Sequence, residues 1–179
     1  ALGGVVCTND SVWAERMTFA QKALGLQPSP FDCWLITRGI KTLPLRLERQ
    51  TSNAKELANL LSAHPNVRTV LYPFHPNHPQ HLVALKQMKS GGAILTARIN
   101  GDQNQTYLFC KSLRYFTMAE SLGGIESLIC HPATMTHASI DNATKTRLGI
   151  DESLVRFSIG CEDLLDLTID IEQALNKLQ

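Results

Sequence analysis

The sequence predicts an α/β fold in which helices and strands alternate along the chain. Short runs rich in apolar and β-branched residues are bounded by glycine, proline or polar residues, and longer segments with helical periodicity lie between them. The last segment is the most regular, with apolar residues on one helical face at Leu164, Leu167, Ile171, Leu175 and Leu178. Such alternation is typical of helices layered on a sheet.

The first third of the chain predicts one strand followed by helices that are marked by their capping residues. Leu2–Cys7 is apolar and β-branched, which favours a short buried strand. Asn9 or Asp10 can cap a helix that runs to about Leu24 and ends at Gly25. Ser29 and Pro30 begin a second helix, because serine caps and proline fits the first turn.

Downstream, strands are predicted over 67–72, 93–99, 115–119 and 154–159, and helices over 43–63, 81–88, 103–113 and 162–178. The helix over 43–63 is the longest, and we interpret it as a bridge between two bodies. We place the boundary near residue 50, which gives domains 1–50 and 51–179.

Composition excludes several classes of function. The chain has 179 residues, 44% of them hydrophobic, which is enough to bury a core. A net charge of +1 argues against nucleic acid or a membrane surface as partner, and no apolar run reaches the length of a membrane span. The five cysteines form no C-x-x-C pair, so we expect reduced thiols and a cytoplasmic location.

Two segments carry polar residues whose chemistry points to a ligand. Glu120 and Ser121 precede the glycine pair Gly123-Gly124, where the backbone can approach a ligand closely. Arg156 interrupts the apolar strand predicted over 154–159, and a guanidinium and a hydroxyl together can hold a carboxylate. The simpler interpretations are a tight turn with Ser121 bonded to the backbone, and an arginine that extends to water.

These segments resemble one known family. The runs Met118–Ser139 and Leu154–Asp163, together with the block Gly25–Leu43, resemble the C-terminal half of the pyridoxal-phosphate-dependent enzymes of cysteine and methionine metabolism, in particular the cystathionine γ-synthase and γ-lyase group. The resemblance implies the end of a fold-type I large domain followed by the C-terminal small α/β domain. It also implies that this chain is part of a longer protein.

The resemblance assigns substrate-binding roles to three residues. Ser121 and Arg156 would hold the α-carboxylate of an amino-acid substrate, and Glu120 would face its distal end. The same likeness gives Asp32 and Arg38 a structural role, as an ion pair or as caps. Met135–His137 is a further motif of the family. His137 could serve as a general acid or base, and we favour a packing and hydrogen-bonding role near the active-site wall.

The cofactor implied by the resemblance is pyridoxal phosphate, held as a Schiff base by a lysine that precedes the segment matching Ala1–Gly4. None of the eight lysines of this chain lies in that context. We therefore expect the cofactor to be bound mainly by an N-terminal half, no catalytic residue in this chain, and no activity of the chain alone. The family further implies assembly as a homodimer or homotetramer.

Several alternatives remain open from the sequence. The pattern Glu120–Gly124 favours the γ-synthase and γ-lyase group without separating the two, and methionine γ-lyase and cystathionine β-lyase are alternatives within the family. A non-catalytic interaction domain derived from the family is another possibility. A metal site at His75, His78 and His81 is disfavoured, because the spacing is loose and prolines separate the histidines, so we expect a surface loop and no metal.

Overall fold

The computed structural model describes residues 1–178, and the chain divides into two compact units, Ala1–Leu45 and the remainder from Arg46 onward. The domain boundary expected near residue 50 stays a prediction about the organisation of the protein.

The first unit contains two helices that begin where their caps predict. Helix α1 spans Ser11–Leu24, and the Asp10 carboxylate accepts the amide N–H of Val12 at 2.9 Å. Gly25 ends α1 in the left-handed region at φ 66°, which glycine adopts without steric cost. Helix α2 spans Pro30–Lys41, and the Ser29 hydroxyl accepts the Asp32 amide N–H at 3.1 Å.

The predicted strand over Leu2–Cys7 is wrong. These residues have no regular secondary structure and are exposed. An apolar run becomes a strand only where a neighbouring strand accepts its backbone hydrogen bonds, and residues 1–45 contain no strand. Instead, the Leu2 amide donates to the Asp32 carboxylate at 3.0 Å. Hydrogen bonds from the Ser29 hydroxyl and the Leu2 amide hold the pKa of Asp32 below its usual value.

Arg38 does not pair with Asp32. Its guanidinium carbon lies 5.6 Å from the centroid of the Trp34 ring, a cation–π contact between neighbouring turns of α2. Asp32 therefore acts through capping hydrogen bonds, the second of the two structural roles expected for it.

Helix α3, Leu43–Ala63, begins at the end of the first unit and continues into the second. The other elements, in chain order, are β1 Val67–Leu71, α4 His81–Gln87, β2 Ile94–Ile99, α5 Gln103–Ser112, β3 Thr117–Met118, β4 Leu128–Cys130, α6 Asn142–Arg147, β5 Leu154–Ser158 and α7 Leu164–Leu175, followed by a 3₁₀ turn over Asn176–Leu178. No helix within residues 1–178 combines the length and the apolar character needed to cross a membrane.

The second unit is built on one five-stranded sheet with the strand order β1-β2-β5-β4-β3. The pairs β1–β2, β2–β5 and β5–β4 are antiparallel, and only β3–β4 is parallel. Strand β5, the last along the chain, thus lies at the centre of the sheet. A central strand has neighbours on both sides, so its register is fixed along its whole length.

One face of this sheet carries the core. Val155, Phe157 and Ile159 alternate along and just beyond β5 and are all fully buried. They belong to one apolar cluster with buried residues of α3, α5 and α7, including Leu57, Phe109, Leu167 and Ile171. Burying each such side chain contributes about 1.5–3 kcal/mol, so these contacts hold the three helices against the sheet. The opposite face of β5 is left for Leu154, Arg156 and Ser158.

Three elements differ from the sequence-based prediction, and all three are short. Strand β4 and helix α6 were not predicted, because three and six residues give too little periodicity to recognise. Helix α6 depends on its cap, in which the Asp141 carboxylate accepts the Thr144 amide at 2.9 Å. The strand predicted over 115–119 is reduced to Thr117–Met118, since β4 offers only two paired positions to it.

Candidate active site

Arg156 lies in the middle of the central strand, on the face of the sheet opposite the core. Its register partners are Thr96 of β2 and Cys130 of β4, so uncharged residues flank it on both sides. The side chain is half-buried, in contrast with its fully buried neighbours Val155 and Phe157. The alternation of β5 therefore brings one guanidinium to a face of the sheet that the helices of the core do not cover.

Within the described residues, the guanidinium of Arg156 makes one hydrogen bond and leaves other N–H donors without a partner. Nη2 donates to the main-chain carbonyl of Ser121 at 3.0 Å. The Nε atom is buried and has no hydrogen-bond partner among residues 1–178. The ion pairs in this part of the chain involve three other arginines, Arg49, Arg68 and Arg98. Among residues 1–178, Arg156 is thus a partly buried cation without an anionic partner, an arrangement that an anionic ligand would stabilise.

The turn expected to meet Arg156 does so through its backbone. Glu120 and Ser121 are both exposed, and the Ser121 carbonyl is the group that receives the guanidinium. Gly123 follows at φ 77°, in the left-handed region that favours glycine. The structure therefore brings Ser121 and Arg156 together, although 35 residues separate them. Their binding roles, and that of Glu120, stay predictions.

Two residues that the sequence interpretation did not assign also hold this turn. Ser158 follows Arg156 on the same face of β5, and its hydroxyl accepts the Gly123 amide N–H at 2.8 Å. Gln50 of α3 donates from Nε2 to the Gly124 carbonyl at 2.6 Å. The two-residue period of β5 could have indicated Ser158, because residues two apart on a strand share a face.

The end of the same loop is fixed by a small polar cluster. Glu162 accepts the amide N–H and the hydroxyl of Ser127, and Ser127 in turn accepts the Gly160 amide at 2.9 Å. Asn53 of α3 donates to the carbonyls of Gly160 and Glu162 at 3.3 and 3.0 Å. Ser127 and Asn53 are buried, so this cluster joins the loop, the end of β5 and α3 away from water.

The histidines singled out from the sequence bond locally. His78 Nδ1 accepts the Gln80 amide at 3.1 Å, and His81 Nδ1 lies 3.0 Å from the Pro73 carbonyl. His75 Nε2 lies 3.2 Å from the Ser62 hydroxyl. In the part of the chain that the structure describes, no three histidine, cysteine or acidic side chains are arranged to hold a metal. His137 pairs with the Thr136 hydroxyl at 2.7 Å.

A separate open cavity of about 670 Å³ lies among polar residues around Asp151. Its cations are engaged: Lys145 donates to the Ala133 carbonyl at 3.0 Å, and Arg68 donates to the Ser153 hydroxyl at 2.8 Å. Burial raises the pKa of Asp151, but hydrogen bonds from Ser153 and Arg98 outweigh it and hold that pKa below its usual value. This cavity therefore lacks the unpaired cation that distinguishes Arg156.

The residues around Arg156 fit a carboxylate, and they do not fit a covalently held carbonyl cofactor. A planar guanidinium can bind both oxygens of a carboxylate at once. A Schiff base needs a lysine amine, and β2, β4 and β5 contain no lysine. All eight lysines lie on helices or in the short loop before β2, and Lys145 is bound to backbone carbonyls.

Comparison with known proteins agrees with this fold. Residues 1–176 match the family model described as "Cys/Met metabolism PLP-dependent enzyme". A cystathionine γ-lyase from Dictyostelium discoideum is 44% identical over 97% of this chain, and a cystathionine β-lyase from Coxiella burnetii is 45% identical over 97%. The crystal structure of a cystathionine γ-synthase from Xanthomonas oryzae pv. oryzae in complex with cystathionine superposes with a TM-score of 0.90 at 41% identity, covering 94% of this chain and 44% of that one.

The chain belongs to the Cys/Met metabolism family of pyridoxal-phosphate-dependent enzymes. It spans about 45% of the length of the curated relatives it matches. Relatives named for γ-lyase, β-lyase and γ-synthase activity match at nearly equal identity. The comparison therefore shows the family and the fold, which confirms both expectations from the sequence.

Proposed function

We propose that this chain is the C-terminal part of a pyridoxal-phosphate-dependent transsulfuration enzyme that acts on cystathionine or another γ-substituted amino acid. Its contribution is the site for the substrate α-carboxylate, formed by Arg156 and the Ser121 turn. The cytoplasmic location and the homo-oligomeric assembly expected from the sequence belong to the same proposal. Family membership and the similarity to a γ-synthase bound to cystathionine support it.

One observation carries the proposal: Arg156 is half-buried and without an acidic partner in residues 1–178, and its Nε has no hydrogen-bond partner there. A structural arginine in such a position would be expected to pair with a carboxylate, because an isolated buried charge is costly. An arginine that binds a substrate carboxylate has no acidic partner of its own until the substrate binds. The neutral register partners Thr96 and Cys130 leave that role to a ligand.

The residues of this chain would act by orientation. Two guanidinium N–H groups that bind both carboxylate oxygens fix the rotation of the substrate about its Cα–carboxylate axis. The exposed Ser121 hydroxyl can add a third donor to the same carboxylate. Pyridoxal phosphate, when bound, supplies the electron sink that labilises the substrate Cα–H bond. Precise positioning of a reacting bond can contribute several kcal/mol to the rate.

Glu120 would face the distal end of the substrate. It is exposed and lies one residue before Ser121, so a substrate held by its carboxylate at Arg156 would extend past it. A carboxylate at this place suits the distal ammonium group of cystathionine. This charge match favours cystathionine among the family's substrates.

The test is Arg156→Ala in the complete cofactor-loaded protein. We expect KM for the amino-acid substrate to rise on the order of 100-fold, because truncating one partner of a partly buried charge pair removes about 2–5 kcal/mol. Arg156→Lys should restore little, since an ammonium cannot form the planar fork. Arg98→Ala is the matched control: Arg98 lies on the neighbouring strand but pairs with Asp151, and KM should stay unchanged.

Cofactor binding gives a second readout. The cofactor absorbance of the Arg156→Ala protein should match that of the unsubstituted protein, because Arg156 is assigned to the substrate alone. An unchanged KM in Arg156→Ala would contradict the assignment of Arg156 to the substrate carboxylate. A complete, cofactor-loaded protein that turned over no amino-acid substrate would instead favour a non-catalytic interaction domain.

A further inference from the structure

The turn that approaches Arg156 is held at three backbone groups by side chains from two elements. Arg156 donates to the Ser121 carbonyl at 3.0 Å, the Ser158 hydroxyl accepts the Gly123 amide N–H at 2.8 Å, and Gln50 donates to the Gly124 carbonyl at 2.6 Å. Arg156 and Ser158 come from β5, and Gln50 comes from α3. A turn held at three points has one position relative to the strand.

Ser158 and Gln50, the two uncharged residues that bond to the turn, are buried although they are polar. Ser158 is 1% exposed and Gln50 is 3% exposed. Such residues lie inside a protein only where their hydrogen bonds are satisfied, since an unsatisfied buried polar group destabilises the folded state. In this structure both side chains bond to the backbone of the turn. The stability of the second unit therefore depends on the turn being in place.

The position of Ser158 relative to Arg156 matters for the site. Ser158 is two residues from Arg156 on one face of the central strand, and strand residues at this spacing keep a nearly constant separation. The bond to Gly123 therefore sets the distance between the turn and the guanidinium. If the turn moved away, Arg156 would lose its hydrogen bond to the Ser121 carbonyl, and the Ser121 hydroxyl would move away from the guanidinium.

We propose that Ser158 and Gln50 are positioning residues that hold the Ser121–Gly124 turn against Arg156 and thereby set the geometry of the substrate-carboxylate site. This inference rests on the function proposed above and extends it to two residues that do not touch the substrate. Ser158 acts as the acceptor for the Gly123 amide, and Gln50 acts as the donor to the Gly124 carbonyl.

The experiment compares Ser158→Ala, Ser158→Thr and Ser153→Ala in the complete cofactor-loaded protein. Ser158→Ala should raise KM for the amino-acid substrate about tenfold while kcat changes less than about threefold, because the lost bond weakens carboxylate binding by roughly 1.4 kcal/mol. Ser158→Thr keeps the acceptor oxygen and should bring KM back to within about threefold of the original. Ser153→Ala removes a buried hydroxyl just before β5, away from the turn, and should leave KM unchanged.

Hydrogen exchange provides a readout that is independent of activity. The Gly123 amide should exchange about tenfold faster in Ser158→Ala and at the original rate in Ser158→Thr and Ser153→Ala. Gln50→Ala should also raise KM. In the double variant of Gln50→Ala and Ser158→Ala, KM should rise by less than the two single effects combined, because both side chains hold one turn.

The outcomes separate this inference from the proposed function. An effect on KM in Arg156→Ala without one in Ser158→Ala and Gln50→Ala would overturn the positioning roles and leave the carboxylate site standing. No effect in Arg156→Ala would remove the carboxylate site, and the positioning roles with it. A Ser158→Ala protein whose kcat falls as much as its KM rises, with no recovery in Ser158→Thr, would also overturn the inference.

Discussion

Gly160 shows how one residue can govern the approach of a whole segment. It follows Arg156 and Ser158 at the end of the central strand and is buried. A Cβ atom placed there would lie 2.4 Å from the Ile125 carbonyl oxygen and 2.6 Å from the Ser127 amide nitrogen. Both atoms belong to the backbone, so no rotation of a side chain relieves the overlap. Glycine is required here because the loop carrying Ser121 approaches closely, and no unusual φ angle is involved.

We therefore expect Gly160→Ala to destabilise the protein and to weaken substrate binding together. The overlap should cost about 1–3 kcal/mol of unfolding free energy, as an extra methyl group does in a tightly packed site. The loop should shift away from β5, and KM for the amino-acid substrate should rise. Urea denaturation and steady-state kinetics measure the two effects.

Gly124→Ala is the matched control within the same loop. A Cβ atom at Gly124 would meet no atom closer than 3.5 Å, which is an ordinary van der Waals distance. This variant should keep the stability of the original protein to within about 0.5 kcal/mol. Equal losses of stability in Gly160→Ala and Gly124→Ala would show that the close approach at Gly160 does not matter.

At the scale of elements, helix α7 does more than fill the core. Its Asp170 is 2% exposed and accepts the amides of Arg114 at 2.9 Å and Tyr115 at 2.8 Å. Gln173 donates to the Ser112 carbonyl at 2.6 Å, one turn further along α7. These bonds join α7 to the connection between α5 and β3, which leads directly to the Ser121 turn.

Asp170→Ala should therefore lower the unfolding free energy by about 3 kcal/mol, because it leaves two backbone amides without their charged acceptor. Glu172→Ala changes an exposed carboxylate on the same helix and should alter stability by less than about 0.5 kcal/mol. Chemical denaturation of both variants tests this. A loss in Asp170→Ala no larger than that in Glu172→Ala would contradict a structural role for the buried carboxylate.

The elements that sequence predicts correctly are those with local signals. The caps Asp10 and Ser29 define the starts of α1 and α2, because each side chain bonds to an amide within three residues of itself. The strand predicted over Leu2–Cys7 lacks such a signal, since an apolar run does not specify which strand it would pair with. Strand β4 forms because β5 pairs with it, although its three residues are too few to show a strand periodicity of their own.

At the scale of the whole molecule, the two units differ in how much they bury. The unit from Arg46 onward has a continuous apolar core, whereas none of residues 1–45 is buried. Large side chains such as Trp13, Phe19, Phe31 and Trp34 are at least half exposed. The core that supports the candidate site therefore lies in the same unit as the site.

The position of the lysines leads to a prediction for the whole chain. We expect residues 1–179 alone to give no absorbance band of protein-linked cofactor when pyridoxal phosphate is added, and to show no activity on cystathionine. The reason is that no lysine lies on the strands around Arg156. Spectrophotometric titration and a thiol or keto-acid assay measure this, with the complete protein as positive control. A stable band that disappears on replacing one particular lysine would contradict it.

The sequence by itself determined the α/β class, most helix positions and the family, because these depend on local periodicity, caps and contiguous motifs. It also indicated Arg156 and Ser121, each from its own segment. Only the tertiary structure decided that the Arg156 guanidinium bonds to the Ser121 carbonyl and that Ser158 and Gln50 hold the same turn. It also decided that the loop carrying Ser121 packs closely against Gly160. These contacts join residues from 33 to 74 positions apart. The pairing of strands and the packing of α3 create them, and no local pattern in the chain encodes such distances.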